Sequence, residues 1–145
     1  MIKVLWFCLS APAQEQRRTL EAAVSLLTLR LLFAVLPLRW ALKLVQRRRG
    51  ALGSGEASLL VANDISRAIG RATRHLPFRI ACLHQAFAAL LMLRRRNFSA
   101  TVHFGLARDP NPNGLKAHAW CVCGEVPVIG VEGASSFTSI AAFTA

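Results

Sequence analysis

The spacing of apolar residues predicts helices in the first half of the chain. Between positions 20 and 35 they recur three or four residues apart, which is the period of one helix face. The pattern predicts a buried helix over residues 17–36, which Pro37 ends or kinks. Further helices are predicted over 38–46 and 58–72. The residues that form the first apolar stripe are Leu20, Val24, Leu27, Leu31 and Val35.

The second half of the chain changes to a mixed pattern of one helix and several strands. A helix is predicted over 82–96, and the alternation of apolar and polar residues predicts a strand over 100–106. Two strands over 116–123 and 126–131 are predicted to form a hairpin. The tail over 137–143 is apolar enough to pack against them.

Length and composition indicate one folded domain with a strong positive charge. The chain has 145 residues, of which 54% are hydrophobic and 17% charged, so a disordered or low-complexity chain is excluded. We expect one α+β domain over 1–145, in which a helical portion over 1–75 precedes a mixed portion over 76–145. The formal net charge of +11 favours an anionic partner. No aromatic-interleaved basic stripe or nucleic-acid motif is present, so that partner is not expected to be nucleic acid.

Two apolar stretches raise the question of export or membrane insertion. The run from Val4 to Leu9 is shorter than a secretory signal requires, and little charge precedes it. Between positions 20 and 45 the longest uncharged piece, 31–38, has eight residues. A spanning helix needs about 20 apolar residues. We therefore expect a cytoplasmic protein with reduced cysteines, and contact with a membrane surface is the alternative.

Cys82 and His118 are the residues with the clearest chemical potential. Cys82 lies in the first turn of a predicted helix, where unpaired backbone N–H groups and the positive end of the helix dipole favour a thiolate. His118 lies near the start of a predicted strand 36 residues later. A cysteine and a histidine in these places act as nucleophile and base if the fold brings them together. The alternatives are an inert core cysteine and a structural histidine.

Three neighbouring features complete this candidate site. Trp120 lies two residues along the strand from His118, so both side chains point to one face and Trp120 can form a wall of the site. Gln85 lies one turn into the helix that begins at Cys82. Its side chain either supports an oxyanion hole or packs against neighbouring residues. Cys121 and Cys123 suggest a metal site, but strand alternation directs them away from the histidine and no second cysteine pair completes a zinc set. No metal or cofactor is expected.

Four short segments carry a resemblance to a known family. They are Cys82-Leu83-His84-Gln85-Ala86, LMLRRRN at 91–97, VHFGLA at 102–107 and Ala117-His118-Ala119-Trp120. Together they resemble the lasso-peptide leader peptidases, which are stand-alone bacterial members of the transglutaminase-like, papain-like cysteine protease superfamily. The resemblance covers about residues 17–143 and implies an N-terminal helical layer beside a papain-like core. In that core a cysteine-bearing helix packs on a small antiparallel sheet that carries the histidine.

The resemblance also implies an activity and partners. Members of that family remove the leader from a ribosomally made precursor peptide, which a small leader-binding protein delivers. A separate ATP-dependent cyclase, similar to asparagine synthetase, then closes the lasso ring on the freed amine. Carried over to this chain, the resemblance implies that Cys82 is the nucleophile and His118 the general base and acid. A non-catalytic basic adaptor and an acyl-transferring enzyme of the transglutaminase type are the alternatives.

The residue that orients His118 is the point at which this sequence departs from the family, which usually has an Asp shortly after the histidine. No Asp follows Asp109. In the predicted hairpin, a two-residue loop places His118 opposite Val131, whereas a three-residue loop places it opposite Glu132. Glu132 is therefore the candidate third catalytic residue. The alternatives are a backbone carbonyl, an Asn, or a Cys–His dyad with no third residue.

Overall fold

The computed structural model describes residues 12–37, 40, 43, 56–109 and 114–144. These residues form three helices and a four-stranded antiparallel sheet, which confirms the predicted α+β class. The apolar N-terminal run lies outside the described residues, and so does the helix predicted over 38–46, apart from Trp40 and Lys43.

Each of the three helices lies where the apolar spacing predicts one. Helix α1 is Ala13–Val35, α2 is Glu56–His75 and α3 is Cys82–Arg95. Helix α1 begins before its predicted start because the Pro12 carbonyl accepts the amides of Glu15 and Gln16, which forms a first turn ahead of the apolar stripe. Among the described helices, none combines the length and the apolar character that crossing a membrane requires.

The sheet follows α3 in the chain and has the strand order β3-β2-β1-β4. Its strands are β1 Thr101–Arg108, β2 Leu115–Cys123, β3 Val126–Ile129 and β4 Thr138–Thr144. Every residue of β1 pairs with a residue of β2, with Gly105 opposite His118. The apolar tail, which the pattern predicted only to pack, forms the edge strand β4 and pairs with β1.

Helix α3 is the centre of the core. Its residues 86–90 are fully buried between the other two helices and the sheet. Three of these five residues are alanines, which let the neighbouring elements approach closely. The Phe87 ring contacts Phe33 of α1, Phe104 of β1 and Phe143 of β4. These ring contacts fix the position of α3 against the middle of the sheet.

Helix α1 buries a different face from the one that its apolar stripe indicates. The face against the core carries Ala22, Ser25, Leu26 and Leu29. The five stripe residues that predicted the helix have between 39% and 78% of their surface exposed. The expectation that this stripe is buried is therefore wrong. Helix α1 is apolar on two opposite faces, and the face with the smaller side chains allows the closer approach to α2 and α3.

The arginines that end α3 are tied to α1. Arg96 Nη2 donates to Glu21 Oε2 at 2.6 Å, and Arg95 Nη1 donates to Glu21 Oε1 at 3.2 Å and to the Ser25 hydroxyl at 3.1 Å. Burial by itself raises the pKa of Glu21, but the hydrogen bonds and positive charges of Arg96 and Arg95 outweigh it, so the pKa is lowered. Part of the positive charge at this helix end therefore holds the fold together.

Glu21→Gln should lower the melting temperature at neutral pH, and its difference from wild type should shrink in acid. A carboxyl group whose folded-state pKa lies below its unfolded value stabilises the protein above the unfolded pKa. That stabilisation is lost as the pH falls through the folded pKa. We expect a cost of about 0.5–1 kcal/mol at neutral pH, the scale of partly exposed ion pairs. Thermal unfolding from neutral pH to about pH 3 measures it. Glu125→Gln, at an exposed turn residue, is the control, and a difference independent of pH would contradict this account.

Candidate active site

Cys82 is the first residue of α3, as the sequence predicts. Ala81 is the N-cap residue, and its carbonyl accepts the amides of His84 and Gln85. The amides of Cys82 and Leu83 have no acceptor inside the helix, because no helical turn precedes them. The thiol is free and half-buried. It therefore combines access to solvent with the hydrogen-bond donors of a helix N-terminus.

Gln85 holds the chain segment that leads into this helix. Its Nε2 donates to the carbonyl oxygen of Ile80 at 3.1 Å. Because these two residues flank Cys82 in the sequence, the hydrogen bond fixes the direction in which the helix begins. This contact favours the packing alternative for Gln85, and a role as an oxyanion donor stays a prediction.

His118 is held on β2 by a backbone carbonyl and by two aromatic rings. Its Nε2 lies 2.6 Å from the carbonyl oxygen of Gly130, in the segment that follows β3. Since a carbonyl oxygen only accepts, Nε2 carries the proton, and Nδ1 of the neutral ring is the acceptor. The rings of Trp120 and Phe137 have centroids 5.9 and 5.1 Å from that of the imidazole. Nδ1 is therefore the atom that can take a proton from a thiol.

A glycine in β1 makes room for Trp120 beside His118. A Cβ atom on Gly105 would lie 2.8 Å from the Trp120 ring and 2.8 Å from Phe137 Cβ. The buried indole therefore lies over β1, where His103 stacks on it with ring centroids 5.5 Å apart. His103, Trp120 and His118 form a row of three rings on one face of the sheet, as the alternation of the two strands predicts for these positions.

Cys82 and His118 are carried by two elements that pack together. Helix α3 packs on β2. Phe87 of α3 lies against Phe104 of β1, the residue that pairs with Ala119 of β2. Cys82 begins α3, and His118 precedes Ala119 in β2, so the fold brings the elements that carry the two residues into contact.

His118 points away from the face of the sheet on which α3 packs. Ala119, Cys121 and Cys123 of β2 belong to the core that surrounds α3. Alternation along the strand directs His118 to the opposite face. In the described part of the chain no hydrogen bond joins the Cys82 thiol to the imidazole. The structure thus brings the two elements together without joining these two side chains.

The β2–β3 hairpin combines the two registers that the sequence allows. Cys123 pairs with Val126, so the loop has two residues. A bulge then shifts the ladder, and Cys121 pairs with Ile129, as it would after a three-residue loop. Pro127 accounts for this irregularity, because it lacks an N–H group and prolines within sheets occur at edges and bulges.

Glu132 lies beyond the end of this ladder. Strand β3 ends at Ile129, and Glu132 is exposed in the turn that follows. Within the described residues, the acceptor for His118 Nε2 is the Gly130 carbonyl rather than a carboxylate. The structure therefore favours the backbone-carbonyl alternative of the sequence analysis, and a catalytic role for Glu132 stays a prediction.

Sequence reasoning missed Gly130 and Phe137. Gly130 has a φ of 73°, and a Cβ atom there would lie 2.9 Å from the carbonyl oxygen of Ala119. A glycine is needed for the chain to approach β2 this closely and reach His118. A single glycine inside an apolar strand pattern signals such an approach, although the pattern predicts one continuous strand here. Phe137 lies in a segment whose pattern carries no comparable signal.

Cys121 and His84 are placed for packing. Burial, followed by the charge of Cys123, raises the pKa of Cys121. His84 packs on Phe33 with ring centroids 5.4 Å apart, and burial followed by the charge of Arg30 lowers its pKa. The described residues contain no group of three or more His, Cys, Asp or Glu side chains that could hold a metal ion.

Comparison with known proteins adds to this geometry. Residues 23–142 match the model of the transglutaminase-like superfamily. The chain belongs to the transglutaminase-like superfamily. This superfamily includes cysteine peptidases and transferases. The matched range of this transglutaminase-like chain contains Cys82, His118 and Trp120. No curated protein and no solved structure matches this chain.

Proposed function

We propose that this transglutaminase-like chain is a cysteine peptidase that removes the leader from the ribosomally made precursor of a lasso peptide. The observation that carries the proposal is the position of Cys82 at the N-terminus of the core helix α3, which packs on the strand that carries His118-Ala119-Trp120. Superfamily membership supports covalent chemistry at the cysteine. The likeness of the local segments to the leader peptidases supports the narrower choice of substrate.

In the proposed reaction, a thioester links the leader to the enzyme. The Cys82 sulfur attacks the scissile carbonyl carbon, and the thiol proton passes to His118 Nδ1. Amides in the first turn of α3 donate to the oxyanion that develops. His118 then gives the proton to the amine of the core peptide as the C–N bond breaks. Water, deprotonated by His118, hydrolyses the thioester and releases the leader as a carboxylic acid.

The Gly130 carbonyl supports His118 in both steps. It accepts the Nε2 proton, which keeps Nδ1 as the acceptor of the neutral ring, and it faces the positive charge of the protonated ring. Proton transfer requires the imidazole to come within hydrogen-bond reach of the sulfur. In substrate-free enzymes such contacts are often long and tighten when substrate binds. We propose that precursor binding brings His118 and Cys82 together.

The proposal includes the partners of the enzyme. The precursor is the substrate, a small leader-binding protein presents it, and a cyclase similar to asparagine synthetase uses the freed amine in the cytoplasm. The charge balance supports peptide and protein partners of acidic character. The net charge is +11, and four of the seven carboxylates already pair inside the fold. Those four are Glu15, Glu21, Asp64 and Asp109.

A cleavage assay tests the proposed function. The full chain is incubated with the leader-binding protein and with a precursor peptide whose gene lies beside a gene for the cyclase. We expect separate leader and core peptides, whose masses add up to the precursor plus one water. If an added amine appears on the leader in place of water, the protein is a transferase. An intact precursor in the presence of the leader-binding protein would contradict the proposal.

A further inference from the structure

A cleft between α2 and β3 is not used by the reaction proposed above. Its volume is about 860 Å³. One wall is α2, with Asn63, Ser66, Gly70 and Arg74, and the other is the chain over 127–132. Ligand sites in proteins commonly enclose about 300–1,000 Å³. The cleft therefore has room for several residues of a peptide.

The strand in one wall is an edge strand. Strand β3 is the outer member of the sheet, with β2 as its neighbour. An edge strand presents backbone donors and acceptors, and an extended peptide can pair with them as a further strand. Pro127 has no N–H group to donate, and the carbonyls of Gly130 and Val131 already accept hydrogen bonds from His118 and Ala134, so the segment of this wall that can pair is 128–129. Such a wall offers backbone hydrogen bonds to an extended peptide.

The opposite wall supplies polar side chains and a positive charge. Asn63 and Ser66 can hydrogen-bond to a peptide backbone. Arg67 and Arg71 of the same helix each bind a carboxylate, whereas Arg74 takes part in no ion pair within the described residues. The Arg74 guanidinium is therefore available to an acidic side chain of a ligand.

The cleft adjoins the group that holds His118. Gly130 lines the cleft, and its carbonyl oxygen accepts the hydrogen bond from His118 Nε2. We infer that the cleft binds an extended segment of the peptide substrate, with an acidic side chain directed to Arg74. The inference rests on the proposed peptidase function, because it assigns the occupant to the substrate of that enzyme.

A polyanion fits the cleft less well than a peptide does. Glu132 lies in the same lining and repels a chain that carries a phosphate at every residue. An extended peptide needs only one acidic side chain near Arg74 and presents neutral backbone elsewhere. The carboxylate in the lining therefore favours a peptide over a nucleic acid.

Gly70 provides a way to fill the cleft without disturbing the fold. A Cβ atom at this helical position meets nothing within 4 Å. Gly70→Trp should place an indole ring in the cleft, whereas Gly70→Ala adds one methyl group and is the matched control. Alanine favours a helix more than glycine does, so the control should keep its stability. Arg74→Glu, at an exposed residue, tests the charge separately.

Binding is measured by fluorescence anisotropy with the full chain and a labelled peptide of threonines that contains a single glutamate. A glutamine–threonine peptide is the neutral probe. Gly70→Trp should weaken binding of the acidic probe at least about tenfold relative to Gly70→Ala. Arg74→Glu should weaken it at least about fivefold and leave the neutral probe within about twofold. Equal affinities of Gly70→Trp and Gly70→Ala, or equal effects of Arg74→Glu on both probes, would overturn the inference.

Precursor cleavage, measured in parallel, separates this inference from the proposed function. A raised KM in Gly70→Trp, with an unchanged rate of Cys82 alkylation by iodoacetamide, supports the cleft. If the wild-type chain binds the acidic probe but cleaves no precursor, the proposed peptidase function is contradicted. The inference about the cleft is then retained. If a folded Gly70→Trp variant keeps an unchanged KM, the inference about the cleft is overturned. The proposed peptidase function is then retained. Thermal unfolding establishes that each variant is folded.

Discussion

Cys82→Ala should abolish cleavage of the precursor, with a loss of at least about 10³-fold in kcat/KM. The substitution removes the sulfur atom that forms the thioester, so no other part of the site can replace it. Because the side chain is half-buried at a helix N-terminus, the smaller residue should cost little packing. Mass spectrometry of the products measures the loss. In the wild type, a rapid acid quench should also show the leader attached to Cys82.

Cys8→Ser is the matched control for this experiment, because it removes a different thiol from the same chain. It should keep wild-type turnover, and both variants should unfold at temperatures close to that of the wild type. A Cys82→Ala variant that retains more than about a tenth of the wild-type kcat/KM would assign the nucleophile to another residue.

The second large effect is expected at Gly130, where Gly130→Ala should lower kcat/KM about 10²-fold. The backbone there has a φ of 73°, and the added Cβ would lie 2.9 Å from the carbonyl oxygen of Ala119. The segment must move to relieve this contact, which withdraws the Gly130 carbonyl from His118. The imidazole then loses the acceptor that fixes its tautomer. Turnover of the precursor and the rate of Cys82 alkylation are measured together, and only turnover should fall.

Gly133→Ala separates backbone strain from the loss of the carbonyl contact. Gly133 also has a positive φ, 81°, but a Cβ there meets nothing within 4 Å. This control carries a similar strain of about 1–2 kcal/mol and should keep its turnover. Glu132→Gln leaves the Gly130 carbonyl in place, so kcat should stay within about threefold of the wild type. If Glu132→Gln loses turnover and Gly130→Ala does not, the carboxylate is the residue that orients His118.

The elements that carry Cys82 and His118 were predictable because their signals are local. A helix start after an extended, proline-containing approach places the cysteine at the N-terminus of α3. The alternation along β2 places His118 and Trp120 on one face, and their rings are in contact in the structure. Neither conclusion requires knowledge of what lies beyond the next few residues of the chain.

Features that depend on distant contacts were not predictable. The apolar stripe of α1 gives the correct helix but the wrong buried face, since the choice depends on how closely α2 and α3 can approach. The hairpin bulge depends on Pro127, whose effect on the register propagates to residues that pair farther along β3. The Gly130 contact with His118 depends on how the chain turns after β3, so the group that orients the histidine was left among alternatives.

Trp120 gives the site an optical signal of its own. The indole is buried between the imidazoles of His103 and His118, with ring centroids 5.5 and 5.9 Å away. A protonated imidazole quenches indole emission more strongly than a neutral one does. The emission of Trp120 therefore depends on the charge of the ring through which the proposed reaction moves its protons. Because His103 stacks on the same indole, this emission reports the combined charge of the two imidazoles.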